Sequence, residues 1–351
     1  MQTGATEETT VIAAMLLAAQ LIGLQATEED SPFYRASIDT HEAVWGFRDG
    51  IRVALWPHAI GDAPGQGGPR GLLRIGYPIL DDGGHWLVNF IAIEPVVAGC
   101  TARSFSELEP SATDGEPGKV IEAGPPPGID EEPPVDGHYP GHVDEGADHS
   151  TLRVCFRVEP FESGAHVYVV AAFHSDRPDE AELRAYREEG SAELAACILT
   201  ATMGNYERLR ELHLRGGIRT AGDIYGEYEG TGFAPHTVIP ADDIPRTPSG
   251  DALIAATTGE EDPSATHPDP DRPWFWYYPG RKVTQYWRKP ADDLGDDLRA
   301  LVNARAVYWS SEWPIPGGVS FENFELVEPY RPGRPVVFGI TFRSPGELVG
   351  P

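Results

Sequence analysis

The sequence predicts an all-β fold: a large antiparallel β-sandwich of the supersandwich type, with long acidic loops rich in proline and glycine and at most one or two short helices. Two observations predict this class. From about residue 44 onward, short runs rich in β-branched and aromatic residues are separated by Gly, Pro and Asp. Residues 152–158 alternate apolar and polar side chains and lead through a turn at 162–164 into residues 166–173, which predicts a β-hairpin.

The remaining runs predict further strands. They cover residues 45–56, 72–77, 86–94, 197–203, 283–287, 301–309, 319–327 and 336–342. Residues 178–189 fit either a helix or another strand. Residues 205–214, if extended, place Tyr206, Arg208 and Arg210 on one face.

The chain is interpreted as one large β-sandwich domain over residues 31–351. Residues 110–150 and 240–273 are predicted to be long loops within it, because they are rich in Pro, Gly, Asp and Glu while strand-like sequence continues on both sides. The alternative is a domain boundary near residue 150. No internal repeat of fixed period is present.

Residues 1–30 are predicted to form an N-terminal helix or a signal-like segment. The apolar run at residues 11–24 is too short to span a bilayer, so no membrane span is predicted. The run has the length of a signal-peptide core, but an acidic segment precedes it where a signal peptide carries basic residues. Both a secreted and a cytoplasmic location therefore stay open.

Charge and composition limit the function classes. The chain has 55 acidic and 27 basic residues and a formal net charge of -28, which argues against nucleic acid and anionic membranes as partners. A hydrophobic content of 40% argues against general disorder. Its three cysteines show neither a disulfide framework nor a CxxC metal motif.

No cofactor is predicted, because the GxGxxG, GxxxxGK[ST], HExxH and GxSxG patterns are absent. Calcium or another divalent ion is the minor alternative. His138 and His142 have a usable ligand spacing and lie in an acidic segment with His149. Asp269 and Asp271 give a weaker calcium-type signal.

An aromatic and basic segment at residues 272–289 contains no acidic residue, and five of the eight tryptophans lie between Trp274 and Trp313. Rings beside Arg, Lys and Gln suit a sugar polymer, whose apolar faces stack while polar groups fix its orientation. The same residues are equally typical of a β-sandwich core. Because side chains alternate along a strand, Tyr286 and Arg288 are predicted to face a ligand and Trp287 to face the core.

Paired carboxyl groups point to glycosidic hydrolysis, which needs one acid to protonate the leaving oxygen and a second to act as base or nucleophile. Glu107 and Glu109, if extended, would share one face about 6–7 Å apart. Glu94 ends an apolar run, where burial raises a carboxyl pKa; pairing with Arg70 or Arg74 is its alternative role. Glu322 and Glu325 would face opposite sides of a regular strand, and only a bulge would bring them together.

A second mechanism, β-elimination of a uronate polymer, needs a Tyr or His base and cations that neutralise the carboxylate. Tyr206 and His213 are the candidate bases. The alternative is a scaffold in which the neighbouring arginines pair with surface acids.

The predicted function is a carbohydrate-active enzyme that cleaves glycosidic bonds, with a glycoside hydrolase first, a polysaccharide lyase second and a non-catalytic glycan-binding sandwich third. The predicted partner is a carbohydrate, and no oligomeric state is predicted. Candidate catalytic residues are Glu94, Glu107, Glu109, Tyr206, His213 and Glu322. Candidate substrate-binding residues are Arg70, Asn205, Arg210, His236, Gln285, Tyr286, Arg288 and Trp309.

Overall fold

Two antiparallel sheets packed face to face form the protein, so the predicted β-sandwich is confirmed. The computed structural model describes residues 31–36, 42–58, 60, 69–132, 137–265, 278–309 and 313–350. Residues 33–351 form one compact unit. Residues 1–30, the tryptophans at 274 and 276 and the aspartates at 269 and 271 lie outside the described ranges.

The first sheet has nine strands. In spatial order they are β1 (Phe33–Tyr34), β2 (Val44–Phe47), β3 (Arg52–Ala54), β4 (Leu72–Tyr77), β5 (Trp86–Val97), β11 (Leu194–Ala201), β18 (Ser320–Val327), β17 (Arg299–Arg305) and β14 (Thr237–Pro240). The central strands β5, β11 and β18 come from three distant parts of the chain. This sheet therefore depends on contacts that no local pattern can reveal.

The second sheet has ten strands. In spatial order they are β13 (Gly217–Thr220), β12 (Leu209–Leu214), β15 (Ala252–Thr258), β16 (Thr284–Lys289), β19 (Pro335–Thr341), β10 (Glu180–Arg187), β9 (Val167–His174), β8 (Ser150–Val158) and β6 (Ile121–Gly124), while β7 (His142–Glu145) also pairs with β8. Two short α-helices, α1 (Ala221–Tyr225) and α2 (Pro345–Val349), begin with capping boxes. Single 3₁₀ turns occupy Ala241–Asp243 and Ala291–Asp293.

The core lies between the two sheets, where alternate side chains of both meet. Trp287 is fully buried there, as its position in the alternation predicted, and its indole N–H donates to the Phe324 carbonyl at 2.9 Å. Since Trp287 belongs to the second sheet and Phe324 to the first, this hydrogen bond joins the two. Trp45 of the first sheet is likewise buried, and its indole N–H donates to the carbonyl of Tyr139, in the loop before β7, at 2.8 Å.

The predicted hairpin of residues 152–158 and 166–173 is confirmed as β8 and β9, and the ambiguous residues 178–189 contain the strand β10. The prediction of a loop throughout residues 240–273 is wrong, because β15 lies inside it and every one of its residues is buried. The surrounding Pro, Asp and Gly residues dominate the composition of this range, so the short run of Ala, Leu, Ile and Thr was not recognised as a strand. Residues 110–150 also contain β6 and β7.

No helix among the described residues is long and apolar enough to cross a membrane. The three cysteines are free thiols: Cys100 is exposed, Cys155 is buried and Cys197 is half-buried.

Candidate functional site

Two buried glutamates face away from the core on the nine-stranded sheet. Glu94 lies on β5 and Glu325 on β18, one on each side of β11. Their chain neighbours Ile93 and Phe324 point into the core, so alternation directs both carboxyl groups to the outer face. Their exposed fractions are 1% and 0%.

Arg103 joins these two carboxylates. Its Nη1 lies 2.6 Å from Glu94 Oε2 and 2.9 Å from Glu325 Oε1. Because one nitrogen contacts both oxygens, the two carboxyl groups lie close together on the outer face. Burial works against the charge of Arg103, but the two carboxylates outweigh it and raise the arginine pKa.

Glu107 supplies a third carboxyl group beside Glu94. Glu107 lies in a turn next to Ser106, which is fully buried. The Ser106 hydroxyl donates to the Gly71 carbonyl at 2.5 Å and accepts from the Ile93 amide at 2.9 Å. Burial and the charge of Glu94 raise the pKa of Glu107 to about 8. Its Oε2 is buried without a hydrogen-bond partner among the described residues.

His236 closes the exposed side of this cluster. Its Nε2 lies 3.7 Å from Glu325 Oε1 and accepts a hydrogen bond from Asn303 Nδ2 at 3.3 Å. The Asn303 amide is oriented by the Asn323 N–H, which donates to its Oδ1 at 3.0 Å. Burial and the charge of Arg103 lower the pKa of His236 to about 4, so the ring is neutral and carries its proton on Nδ1.

The three carboxyl groups of the cluster differ in whether a nearby cation opposes the rise of their pKa values. Burial and the neighbouring Glu94 raise the pKa of Glu325 to about 8, and burial also raises the pKa of Glu94. Arg103 opposes both shifts, whereas Glu107 has no cation beside it among the described residues. The set can therefore hold ionised and protonated carboxyl groups together near neutral pH, as acid–base catalysis requires.

Glu109 is separated from this cluster. The Glu107–Glu109 segment is a turn and not a strand, so the predicted shared face does not form. Glu109 instead accepts from the Glu162 amide at 2.9 Å and lies 3.5 Å from Lys119 Nζ. The Leu108 and Glu109 amides both donate back to the Phe105 carbonyl, at 3.3 and 3.0 Å, and these bonds close the turn.

Glu322 lies on β18, three residues before Glu325. It is part of a bulge in β18, where Glu322 and Asn323 both stand opposite Asn303 of β17, so Phe321 and Phe324 both enter the core although they are three residues apart. The two glutamates accordingly share the outer face, as the sequence allowed only with a bulge. Burial raises the pKa of Glu322 to about 8, and Arg305 opposes that shift.

The candidate lyase residues do not converge. The Tyr206 hydroxyl accepts from Trp86 Nε1 at 3.1 Å, and burial raises its pKa to about 12. His213 lies on β12 of the ten-stranded sheet, and its Nε2 bonds to the Thr257 hydroxyl at 2.8 Å. Asn205 is fully buried, and Arg210 pairs with Glu260 at 2.8 Å.

Several predicted binding residues are held inside the scaffold. Gln285 is fully buried between the sheets. Tyr286 is 4% exposed and its hydroxyl bonds to Glu180 Oε1 at 3.0 Å, while Arg288 pairs with Glu180 and with Asp251. The prediction that Tyr286 and Arg288 face a ligand is therefore wrong in this conformation, because side chains on the outer face of that sheet are paired and covered near α2.

Arg70 and Trp309 remain near the surface. Arg70 forms a two-pronged ion pair with Asp114 at 2.7 and 2.8 Å and lies 5.5 Å from the ring of Trp56. Trp309 is 41% exposed.

Two residues of the carboxyl cluster were missed as candidates in the sequence: Arg103 and Glu325. Glu325 carried a signal, since it was recognised as a possible partner of Glu322. Arg103 lies in an irregular segment without periodicity.

The described residues contain no group of three His, Cys, Asp or Glu side chains arranged to hold a metal ion. His142, a predicted ligand, instead lies between Glu131 at 2.7 Å and Asp144 at 3.1 Å.

Fold and site together define an antiparallel β-sandwich with a buried carboxyl cluster on one outer face. No protein-family model and no curated protein matches the chain. Among solved structures, the chain is similar to a GH36 α-galactosidase from Geobacillus stearothermophilus, crystallised in complex with stachyose, with a TM-score of 0.35 and 12% identity. The match covers 89% of this chain and 41% of that one, so the chain spans less than half of the other protein's length. Function therefore has to be argued from the side chains of this chain.

Proposed function

We propose that this protein is a carbohydrate-active enzyme that hydrolyses glycosidic bonds at the cluster of Glu94, Glu107 and Glu325. The observation that supports this proposal is the placement of an uncompensated carboxyl group, Glu107, beside a carboxylate held by Arg103. A buried acid and a buried base within reach of each other are the two groups that glycosidic hydrolysis requires.

In this proposal Glu107 is the general acid. Its raised pKa keeps it protonated at neutral pH, so it can transfer a proton to the leaving oxygen. Glu94, held by Arg103, has one of two roles. As a base it activates the water that attacks the anomeric carbon, and as a nucleophile it attacks that carbon itself. Glu325 is a positioning residue, because it holds Arg103 from the other side.

Cleavage by a lyase is less well supported. A Tyr206 hydroxyl with a pKa of about 12 is a poor base at neutral pH, and its hydroxyl is already an acceptor for Trp86. Arg208 and Arg210, which could neutralise a uronate, share the carboxylate of Glu260.

The test is hydrolysis of a panel of soluble glycans by the wild type and by the variants Glu94→Gln and Glu107→Gln. Gln keeps the shape of each side chain and removes its acid–base function. We expect the reducing ends released per second to fall by about 10²–10⁴-fold in each variant. Glu162→Gln, an exposed change near the same turn, is the control and should keep wild-type activity.

Full activity in both cluster variants would contradict the proposal. Binding of glycans without release of reducing ends by the wild type would also contradict it and would favour the non-catalytic binding module. Absorbance from an unsaturated product would favour the lyase.

A further inference from the structure

We propose that the outer face of the nine-stranded sheet binds a neutral glycan several sugar units long, along a track from the carboxyl cluster to the exposed rings of Phe233, Trp309 and Trp313. This inference rests on the proposed function for its catalytic end and names the substrate class of that site.

The course of the track follows from the register of β17 and β18. Leu301 pairs with Glu325 at the carboxyl cluster, and Arg305 pairs with Ser320 at the opposite end of the strands. A strand rises about 3.4 Å per residue, so the four steps from Leu301 to Arg305 on β17 put these ends roughly 14 Å apart. That span is longer than one sugar unit. A ligand that contacts both ends must therefore be an oligosaccharide or a polymer.

A hairpin after β17 carries the two tryptophans. It is closed by the Tyr308 amide, which donates to the Trp313 carbonyl at 2.8 Å. Trp309 and Trp313 are each 41% exposed, whereas Tyr308 and Ile315 at the base are 1% and 2% exposed. The buried base fixes the rings in place, which reduces the entropy lost when a ligand binds.

Arg210 ties this hairpin to the second sheet. Its guanidinium donates to the Pro316 carbonyl and, at 3.4 Å, to the Gly318 carbonyl. Because Arg210 also pairs with Glu260, the base of the hairpin is linked to two separate segments.

A third exposed ring lies between the hairpin and the carboxyl cluster. Phe233 is 44% exposed, and Arg305 lies 4.8 Å from its ring centre. Arg305 also donates to the Thr231 carbonyl at 2.8 Å, which fixes the segment carrying Phe233. His236, three residues later, reaches Glu325 in the carboxyl cluster. Exposed rings suit the apolar faces of sugars, and polar groups between them suit hydroxyls.

Two buried polar side chains near the track lack protein partners. Both amide atoms of Asn205 and the Oε2 atom of Glu322 are buried without a hydrogen bond among the described residues. Buried polar groups nearly always have a partner from protein, water or ligand. The Gly204 amide donates to the Glu322 carbonyl at 2.9 Å, so these side chains belong to adjoining backbone. Because Asn205 is 0% and Glu322 1% exposed, a glycan on the surface would reach these atoms through bridging waters.

The charge along the track indicates a neutral ligand. Arg103 is balanced by Glu94 and Glu325, and Arg210 shares Glu260 with Arg208. Carboxylates therefore already lie against Arg103 and Arg210, while Arg305, another cation on the track, donates to the Thr231 carbonyl and lies over the Phe233 ring. The formal net charge of -28 opposes a polyanion further.

Affinity electrophoresis in gels containing soluble polysaccharide tests the track independently of catalysis. The probes are neutral starch, β-glucan, galactomannan and arabinoxylan, with polygalacturonate as the charged comparison. We expect retardation of the wild type by at least one neutral polymer. Phe233→Ala, Trp309→Ala and Trp313→Ala should each weaken that binding about threefold to tenfold.

Phe342→Ala is the matched control, because Phe342 is 43% exposed and Arg281 lies 4.1 Å from its ring, but it follows β19 in the other sheet. Its binding should equal that of the wild type. Wild-type binding by all three track variants, tighter binding to polygalacturonate than to any neutral polymer, or no binding to any neutral polymer would overturn the inference. Loss of binding in the track variants without any hydrolysis by the wild type would keep the binding track and refute only the proposed hydrolysis.

Discussion

At the scale of single residues, Glu207 illustrates how a buried carboxyl group is accommodated in this sandwich. Its Oε1 accepts from the Val283 amide at 3.0 Å and its Oε2 from Gln285 Nε2 at 2.8 Å. Gln285 in turn accepts at 2.6 Å from Asn89, which lies on β5 of the opposite sheet. This chain of hydrogen bonds explains why the aromatic and basic segment places a glutamine in the core.

We expect Glu207→Gln to lower the free energy of unfolding by about 2–4 kcal/mol, because the amide NH₂ would meet a donor where the carboxylate accepted. The urea midpoint measures this loss. Glu189→Gln, at an exposed position, should leave the midpoint unchanged. An unchanged midpoint in Glu207→Gln would show that the network does not contribute to stability.

At the scale of elements, the turn that carries Glu107 depends on a glycine before β4. Gly71 has φ +77°, and a Cβ atom there would lie 1.9 Å from the Ser106 carbonyl oxygen. The turn can dock against β4 only because this side chain is absent. The position of Glu107 beside Glu94 is therefore set by a residue more than thirty positions earlier.

Gly71→Ala should displace this turn and reduce the proposed hydrolytic activity at least tenfold, with a loss of about 2–4 kcal/mol of stability from strain and overlap. Activity assays and urea unfolding measure the two effects. Gly99→Ala is the matched control, since Gly99 has φ +82° but open space around its Cβ position. It should lose only about 1–2 kcal/mol and keep its activity. Equal effects of both variants would show that strain alone is responsible.

At the scale of the whole molecule, buried carboxyl groups with raised pKa values set the pH dependence of stability. The pKa values of Glu107, Glu207, Glu322 and Glu325 are each raised by burial to about 8. Between the unfolded and folded pKa values, the folded state binds more protons, so stability falls as the pH rises. Histidines with lowered pKa values act in the opposite direction, but only below about pH 6.5.

Urea unfolding should therefore show a stability that decreases from pH 6.5 to pH 8.5. Glu322→Gln removes one titrating group, whose contribution is about 1.4 kcal/mol per pH unit. The variant should thus lose less stability than the wild type over this interval, while Glu189→Gln should follow the wild type. A wild-type stability that rises with pH in this window would contradict the prediction.

The strands of the sandwich could be predicted largely from the sequence, because alternation and turn residues are local properties. β4 and the β8–β9 hairpin are examples. β15 was missed because its flanking Pro and Asp residues dominated the composition of a longer window. The composition was averaged over residues 240–273, whereas seven buried residues suffice for a strand.

The sequence by itself determined the β class, the apolar run ending in Glu94 and the presence of carboxyl groups near Glu107. Only the tertiary structure decided that Glu94 and Glu325 lie on either side of Arg103 and that Glu107 lies beside Glu94. That arrangement depends on the pairing of β5 with β11 and of β11 with β18, and on the docking of a turn against Gly71. Periodicity specifies which face of a strand a residue occupies, whereas the choice of neighbouring strand depends on packing between segments more than a hundred residues apart.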